Sequence, residues 1–374
     1  MMRKHNILAI LLLYIILLTS CSKATPENSI ATNNEINDGM TVHFLDVGQG
    51  NAVLVENDGL YMLIDGGDQE YSSFVVSYLK KTGVKKLDYI ITSHYDADHL
   101  NGVVGALNVF DVGLILDPDY ETDTRVFESY TKLVAVGIDE VHPKPGDTHE
   151  LGDATFTVVS PVDYNYSDGN DNSVGIRILH GKDSFLICGD AGKESEQDIL
   201  ESGIHLESTV YMVNHHGSST SSWDSFLDSI DPTYAVISCG LDNSYGHPNR
   251  EIMDNLKERD ITFFRTDKQG TIIAYSSGKG ITWNVDPSTD YSSGEQNVKA
   301  DSSESNGKEG ESTSNPYSND SKTTIYIINS NTNKFHRPDC SSVTDMKPEN
   351  RLETDTSRDE LMKEGYEACG RCKP

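Results

Sequence analysis

Positive charge is scarce in this chain of 374 residues. Lys and Arg number 30 against 59 Asp and Glu, a formal charge of −29. A protein that holds a nucleic-acid backbone by broad phosphate neutralisation needs clustered Lys and Arg, so the charge balance argues against that class. It does not exclude an enzyme that grips a few phosphates through metal ions. Lys80-Lys81 and Lys85-Lys86 come nearest to a basic patch, and an ordinary solvated surface explains them equally well. Apolar residues make up only 36% of the chain, below the usual ~45–50%, so part of it never joins a core. There is no Gly-x-y period, no repeated block and only one long apolar run. Collagen-like, repeat and multi-span membrane architectures are thereby excluded.

That one run, residues 7–18, follows Arg3 and Lys4. It is shorter than the ~20 residues a bilayer span needs, and reads as the core of a signal peptide. It ends in Leu18-Thr19-Ser20-Cys21, which resembles the lipobox of bacterial lipoproteins. The resemblance implies a signal peptide over 1–20, lipidation of Cys21 and anchoring at the extracytoplasmic face of the cell membrane. An uncleaved N-terminal anchor is the alternative, and it too puts the bulk of the chain outside the cytoplasmic membrane. Residues 21–39, rich in Ser, Asn and Glu, read as a flexible tether.

Residues 40–286 carry the pattern of an α/β domain. Strand-like runs are 41–45, 52–56, 61–64, 89–93, 114–116, 156–160, 174–179, 184–188, 209–213, 234–238, 272–275 and 281–284. Helix-like segments are 71–81, 100–109, 125–136, 193–202, 223–229 and 250–259. Short strands come first, joined by turns such as Asn57-Asp58-Gly59 that suit antiparallel pairing, and then β and α alternate. Residues 287–322 hold almost nothing apolar and read as a disordered linker. A short module, 323–374, follows.

The most informative stretch is Ser93-His94-Tyr95-Asp96-Ala97-Asp98-His99, directly after an apolar strand. Two imidazoles and two carboxylates released at a strand end suit a divalent transition metal. The alternative is a solvated acidic turn with two surface histidines. His94-x-Asp96-x-Asp98-His99 resembles the H-x-[HD]-x-D-H signature of the metallo-β-lactamase superfamily. Further pieces follow in order: Leu45-Asp46-Val47-Gly48-Gln49-Gly50, Asp65-Gly66-Gly67, Gly189-Asp190, His215-His216-Gly217-Ser218 and Tyr245-Gly246-His247-Pro248. The joint set resembles the C-terminal domain of ComEC-type competence proteins and their free-standing relatives.

That resemblance implies an αββα sandwich with a dinuclear site at one edge. His94 and Asp96 would serve the first metal, Asp98 and His99 the second, and Asp190 would bridge both, with His215 or His216 completing the set. His216 is taken as the ligand, and Asp98, His215 and His247 are the catalytic candidates. Asp46, Asp65, Asn172 and Ser173 would support the ligands from behind, with a plain turn role as the alternative for Asp65. Ser218 is the candidate phosphate binder. Two departures stand out. Asp96 replaces a second His, and Asp171-Asn172-Ser173 lies where a third-motif His is expected. Both harden the donor set, so the two divalent ions are expected to be Mn or Zn. Two such ions about 3.5–4 Å apart can hold a bridging hydroxide for in-line attack at phosphorus.

The expected function is therefore an extracytoplasmic metal-dependent hydrolase, a nuclease or phosphodiesterase with DNA as its nucleic-acid substrate. A lactamase- or lactonase-like hydrolase on the same fold, or a lipoprotein that binds nucleic acid or a partner without turnover, are the alternatives. The expected partners are nucleic acid and, through the lipid, the membrane; no stable protein partner is expected. In the last module, His336, Cys340, Cys369 and Cys372 have spacings that can close on one structural Zn, with a disulfide as the competing reading. The segment resembles small Ada-like metal-binding modules. Cys188 and Cys239, in apolar strands, are expected to be buried thiols.

Overall fold

Alternation within the strands sorts the apolar side chains into separate layers. In the computed structural model, which describes residues 39–295 and scattered positions within 326–369, β1 (Met40–Phe44), β2 (Val53–Asn57) and β3 (Leu60–Ile64) form an antiparallel meander. Val53, Val55, Met62 and Ile64 face one core, while Leu54 and Leu63 face another. This is the period of two expected of a strand buried on both faces. The expected signal peptide with Cys21, the expected tether through residue 38, residues 296–322, Cys340 and Cys372 lie outside the described residues.

After β3 the chain alternates: α1 (Ser72–Thr82), β4 (Lys86–Ile91), α2 (Ala97–Leu107), β5 (Asp111–Leu116), α3 (Arg125–Val134) and β6 (Asp139–Val141). Pairing from β3 to β6 is parallel. Then come β7 (Thr148–Leu151), β8 (Ala154–Ser160), β9 (Gly175–His180) and β10 (Asp183–Ile187), which are antiparallel. The second half continues with α4 (Lys193–Ser202), β11 (Val210–Met212), α5 (Asp224–Ile230), β12 (Tyr234–Ile237), α6 (Arg250–Glu258), β13 (Thr262–Arg265), α7 (Thr266–Gln269), β14 (Ile272–Ser276) and β15 (Ile281–Trp283). One sheet has the order β15-β14-β1-β2-β3-β4-β5-β6 and the other β13-β12-β11-β10-β9-β8-β7.

The inner faces of the two sheets share one core, with Phe44, Val55, Met62 and Ile91 from the first and Phe156, Ile178, Phe185 and Val236 from the second. The outer face of the first sheet packs on α1, α2 and α3 through Leu63, Ile90 and Ile115 against Leu79, Leu100 and Tyr130. The outer face of the second packs on α4, α5 and α6 through Leu186, Tyr211 and Ile237 against Ile199, Phe226 and Ile252. The architecture is an αββα sandwich, as expected. Cys188 and Cys239 are buried thiols in the outer layer of the second half.

Three strands escaped the sequence reading, β6, β7 and β13. β6 is Asp139-Glu140-Val141 on a sheet edge with every residue exposed, so it carries no apolar alternation to find. The expected linker also begins too early. Residues 287–295 pack on the domain: Ser288 N donates to Phe263 O (2.8 Å) and Gly294 N to Pro248 O (2.9 Å). The cause is Arg265, a fully buried guanidinium whose Nη1 needs acceptors and finds the Asp290 and Ser292 carbonyls.

A separate C-terminal unit holds β16 (Tyr326–Asn329), β17 (Lys334–His336), β18 (Arg351–Thr354) and β19 (Glu367–Ala368) in the order β18-β16-β17-β19. Phe335, Tyr326, Ile328 and Leu361 form its apolar cluster. Among the described residues no helix is long and apolar enough to cross a membrane.

Candidate metal centre

Residues that follow five strands meet at one edge of the sandwich, where parallel strands present their carboxyl ends: β3, β4, β10, β11 and β12. After β3, Asp65 sits at φ 55° and is almost fully buried. Its carboxylate accepts Ser93 N (2.8 Å), Ser93 Oγ (2.8 Å) and His99 Nδ1 (2.8 Å). After β4, Asp96 adopts the extended backbone of an N-cap residue. The helix therefore starts at Ala97, three residues before the sequence reading placed it, and Asp98 and His99 lie in its first turn rather than in a loop. Gly66 and Gly102 let this turn of α2 approach the strand-end loop: a Cβ on Gly102 would collide with the Gly66 carbonyl. Gly66 N then donates to His99 O (2.7 Å), fixing the height of the helix end.

From the second sheet, Asp190 follows β10 and its amide donates to Ser173 Oγ (3.2 Å). His215 and His216 follow β11 with φ 51° and 57°. Left-handed backbone at a non-glycine residue costs about 1–3 kcal/mol and persists only where the surroundings impose it. The constraint is visible. Buried Glu196, on α4, accepts Asn214 Nδ2 (2.9 Å), Ser222 N (2.6 Å) and Trp223 N (3.1 Å), and Asn214 N donates to Tyr211 Oη (3.1 Å).

These pieces converge. His99 Nε2 lies 3.3 Å from Asp190 Oδ1 and 3.4 Å from His216 Nε2. His216 Nε2 is 3.3 Å from Asp190 Oδ2 and 3.5 Å from Asp98 Oδ2, and His215 Nε2 is 3.8 Å from Asp190 Oδ2. Ligand atoms of His94, His99 and Asp190 lie within 4.8 Å of one another, and so do those of Asp98, His99 and His216. Among the described residues, these are the two groups with metal-ligand geometry.

The polar chemistry at this point calls for a cation. His99 gives its Nδ1 proton to Asp65, and His216 gives its Nδ1 proton to Ser238 O (3.0 Å). Both rings are thereby oriented with Nε2 inward, the arrangement of metal-ligating histidines held from behind by a carboxylate or carbonyl. His94 Nε2 and Asp190 Oδ1 are buried without a hydrogen-bond partner. The electrostatics agree. Burial alone would depress His99, yet the Asp190 and Asp65 carboxylates hold it well above its ordinary value. Against the same burial penalty, the Asp190 and Asp98 carboxylates raise His216 to about 9. Burial would raise Asp190 and Asp98, but His216 and His99 pull Asp190 well below the usual carboxylate range and Asp98 to about 2. Three imidazoles and two carboxylates form a mixed N/O donor set that suits a first-row divalent metal.

Not every candidate joins the clusters. Asp96 is exposed and belongs to neither group. Its residue type suggested a ligand; as the N-cap residue of α2 it lies outside both groups, while its charge still acts on His94. The pairing differs as well, since His94 groups with His99 and Asp190 while Asp98 groups with His99 and His216. Asp46 accepts Gly48 N (3.3 Å) in its own turn. Asn172 Nδ2 donates to the Tyr166 and Asp168 carbonyls, whereas Ser173 Oγ reaches both Asp190 N and His94 Nδ1 (3.4 Å). Ser218 is buried and its hydroxyl bonds Thr220 Oγ1 (2.9 Å) within the loop.

His247 stands beside the cluster, with its ring centroid 5.7 Å from that of His215 and 6.3 Å from that of His216. Gln49 Oε1 accepts Gly240 N (3.2 Å), which points the Gln49 amide nitrogen at His247 Nδ1 (3.3 Å). Nδ1 is then the acceptor and Nε2 carries the proton. Burial, reinforced by His216 and His215, lowers His247 to about 4, so it is a neutral donor near pH 7.

Sequence reasoning missed Glu196 and the roles of Gln49 and Ser93. Gln49 and Ser93 sit inside quoted motifs, so their positions were visible though their roles were not. Glu196 had no signal at all, because it stands among the other acidic residues of α4.

Comparisons with known proteins bear on the family. The profile of the family described as "Metallo-beta-lactamase superfamily" matches residues 45–241. The chain is 29% identical over 276 residues to "ComE operon protein 3" of Bacillus subtilis (strain 168), covering 67% of this chain and 35% of that protein. It is 28% identical over 260 residues to "Competence protein ComA" of Neisseria gonorrhoeae, covering 69% and 34%. The chain thus spans about a third of the length of these curated relatives. Among solved structures, the metallo-beta-lactamase fold protein YhfI from Bacillus subtilis aligns at a TM-score of 0.39 and 16% identity, covering 59% of this chain and 92% of that one.

Proposed function

Taking as premise that the chain belongs to the metallo-β-lactamase superfamily, we propose that it hydrolyses phosphodiester bonds of nucleic acid, with DNA as substrate, at the outer face of the cytoplasmic membrane. The observation that carries this reading is the pair of inward Nε2 atoms of His99 and His216, 3.4 Å apart and enclosed by the Asp98 and Asp190 carboxylates. Manganese or zinc held there would supply Lewis acidity toward a phosphoryl oxygen and a water acidic enough to act as nucleophile near pH 7. The chain's own residues do the rest. Asp65, Ser238 and Ser173 hold the ligands in place. Neutral His247 donates its Nε2 proton toward the leaving oxygen. The competence names of the relatives support nucleic acid over a β-lactam.

Cys21, lipidated, would anchor the enzyme on the outer face. In the C-terminal unit a structural zinc on His336, Cys340, Cys369 and Cys372 accompanies this reading. Its support is His336, whose two ring nitrogens are buried without hydrogen-bond partners, and the backbone bond from Cys369 N to Phe335 O (3.0 Å), which brings Cys369 alongside β17.

The test uses the detergent-solubilised full chain with single- and double-stranded DNA, a small chromogenic phosphodiester and a β-lactam, each with Mn²⁺, Mg²⁺ or Zn²⁺. Metal-dependent cleavage of DNA that Asp190→Ala abolishes is the expected result. DNA left intact with every metal, or cleavage unchanged by Asp190→Ala, overturns the reading.

A further inference from the structure

Next to His247, beside the candidate metal centre, the chain presents an aromatic side chain to solvent. Tyr245 is 59% exposed and Leu241, on the same loop, 61%. The Tyr245 ring stacks on His247, with centroids 5.6 Å apart and planes inclined by 28°, and His247 packs in turn against His215. Exposure of this kind is not slack in the loop. Asn243 staples it: Nδ2 donates to the Gly240 (2.8 Å) and His247 (2.6 Å) carbonyls, while Oδ1 accepts Tyr245 N (3.2 Å) and His247 N (3.0 Å). Gln49 ties Gly240 and His247 back to the first loop. The ring is thus held at a fixed place, with one face toward His247 and much of its surface open.

We propose that Tyr245 is the stacking platform for the nucleobase beside the phosphodiester held at the metal centre. The inference rests on the nucleic-acid reading and specifies how such a strand is held. The charge balance favours it. A chain of −29 gains little by releasing counterions along a phosphate backbone, so beyond the metal centre contacts that do not depend on cations carry more of the affinity. Stacking on an aromatic ring is such a contact, and it tolerates any base because every base has a π-face. An exposed Leu beside an exposed Tyr extends the apolar surface available to a base and its sugar.

The test is a cycle between protein and substrate. Single-stranded oligonucleotides carry one abasic residue at successive positions around the cleaved bond, and kcat/KM is measured for the full-length protein and for Tyr245→Ala and Tyr245→Phe. At one position, wild type should lose about five- to a hundredfold on removal of the base. Tyr245→Ala should show no such discrimination, and Tyr245→Phe should recover it. Equal losses for Tyr245→Ala on intact and abasic strands, or no discrimination by wild type at any position, overturn the proposal while leaving the nuclease reading intact. Turnover of a small phosphodiester with oligonucleotides untouched removes both the nucleic-acid reading and the platform, and leaves the hydrolase.

Discussion

His99 Nδ1 and a carboxylate oxygen of Asp65 stand 2.8 Å apart, and both residues are closed to solvent. The contact links the end of β3 to the first turn of α2 and turns His99 Nε2 toward Asp190. Asp65→Asn keeps the shape of the side chain but removes its charge, and the new amide can donate where the carboxylate only accepted. Metal affinity should fall by about 10–100-fold. Titration of divalent metal, followed as a rise in Tm, measures this, because an ion that binds the folded state at 100 times its Kd adds about 2.7 kcal/mol. Asp190→Ala should abolish the rise.

Glu196 touches none of the cluster residues directly, yet it accepts three hydrogen bonds in the segment that holds His215 and His216 in left-handed backbone. Glu196→Ala leaves buried donors on Asn214, Ser222 and Trp223 without acceptors, at about 1–3 kcal/mol each. A loss of about 3 kcal/mol or more is expected in urea denaturation. Glu196→Gln, which keeps an acceptor oxygen, should lose less and keep more of its metal.

His247 belongs to neither ligand cluster, so His247→Ala should bind metal at the wild-type stoichiometry. If its Nε2 proton goes to the leaving oxygen, kcat should drop by about 10²–10⁴-fold. Metal analysis and single-turnover kinetics on one preparation separate the two effects. Loss of metal together with activity would assign His247 a ligand role instead.

A pH signature comes from Asp117, behind the metal-motif loop. Tyr95, between His94 and Asp96, and Tyr130 both donate to Asp117 Oδ2 (2.9 and 2.7 Å). Burial, with Glu140 close by, pushes this carboxyl from 3.8 up to about 7 despite those two donors. The folded chain therefore binds more protons here than the unfolded chain between about pH 4 and 7, and this contribution to stability falls as pH rises through that window. His142, 3.2 Å away, is shifted upward and acts in the same direction: burial opposes the shift, but the Asp117 carbonyl and carboxylate outweigh it. Asp117→Asn has no proton to lose. Measured from pH 5 to pH 8, the Tm of wild type should decline relative to that of Asp117→Asn by about 3–10 °C. A constant difference would show that Asp117 does not titrate in this range.

The two halves of the molecule were unequally legible. The run of strands and helices gave an α/β pattern, and the αββα layering was expected only through the motif resemblance; the division of Val53-Leu54-Val55 and Phe185-Leu186-Ile187 between an inner and an outer core is not visible in uninterrupted apolar runs. β6 was not readable, since an edge strand needs no buried face. The His94–His99 cluster could be read because metal-ligating side chains crowd into six positions that no apolar core would accept. Asp96 stands apart: residue type nominated it, and in the fold it is the exposed N-cap residue of α2, outside both clusters.

By itself, then, the sequence determined the alternation of strands and helices, the carboxylate- and imidazole-rich motif and the shortage of cations, because periodicity and composition are local properties of the chain. Tertiary structure alone decided that His99 rather than Asp96 joins both clusters, that Glu196 restrains a loop 18 residues away, and that Tyr245 stands exposed against His247. Each of these depends on separate strand ends converging at one edge, and no local pattern encodes the distance between atoms that only folding brings together.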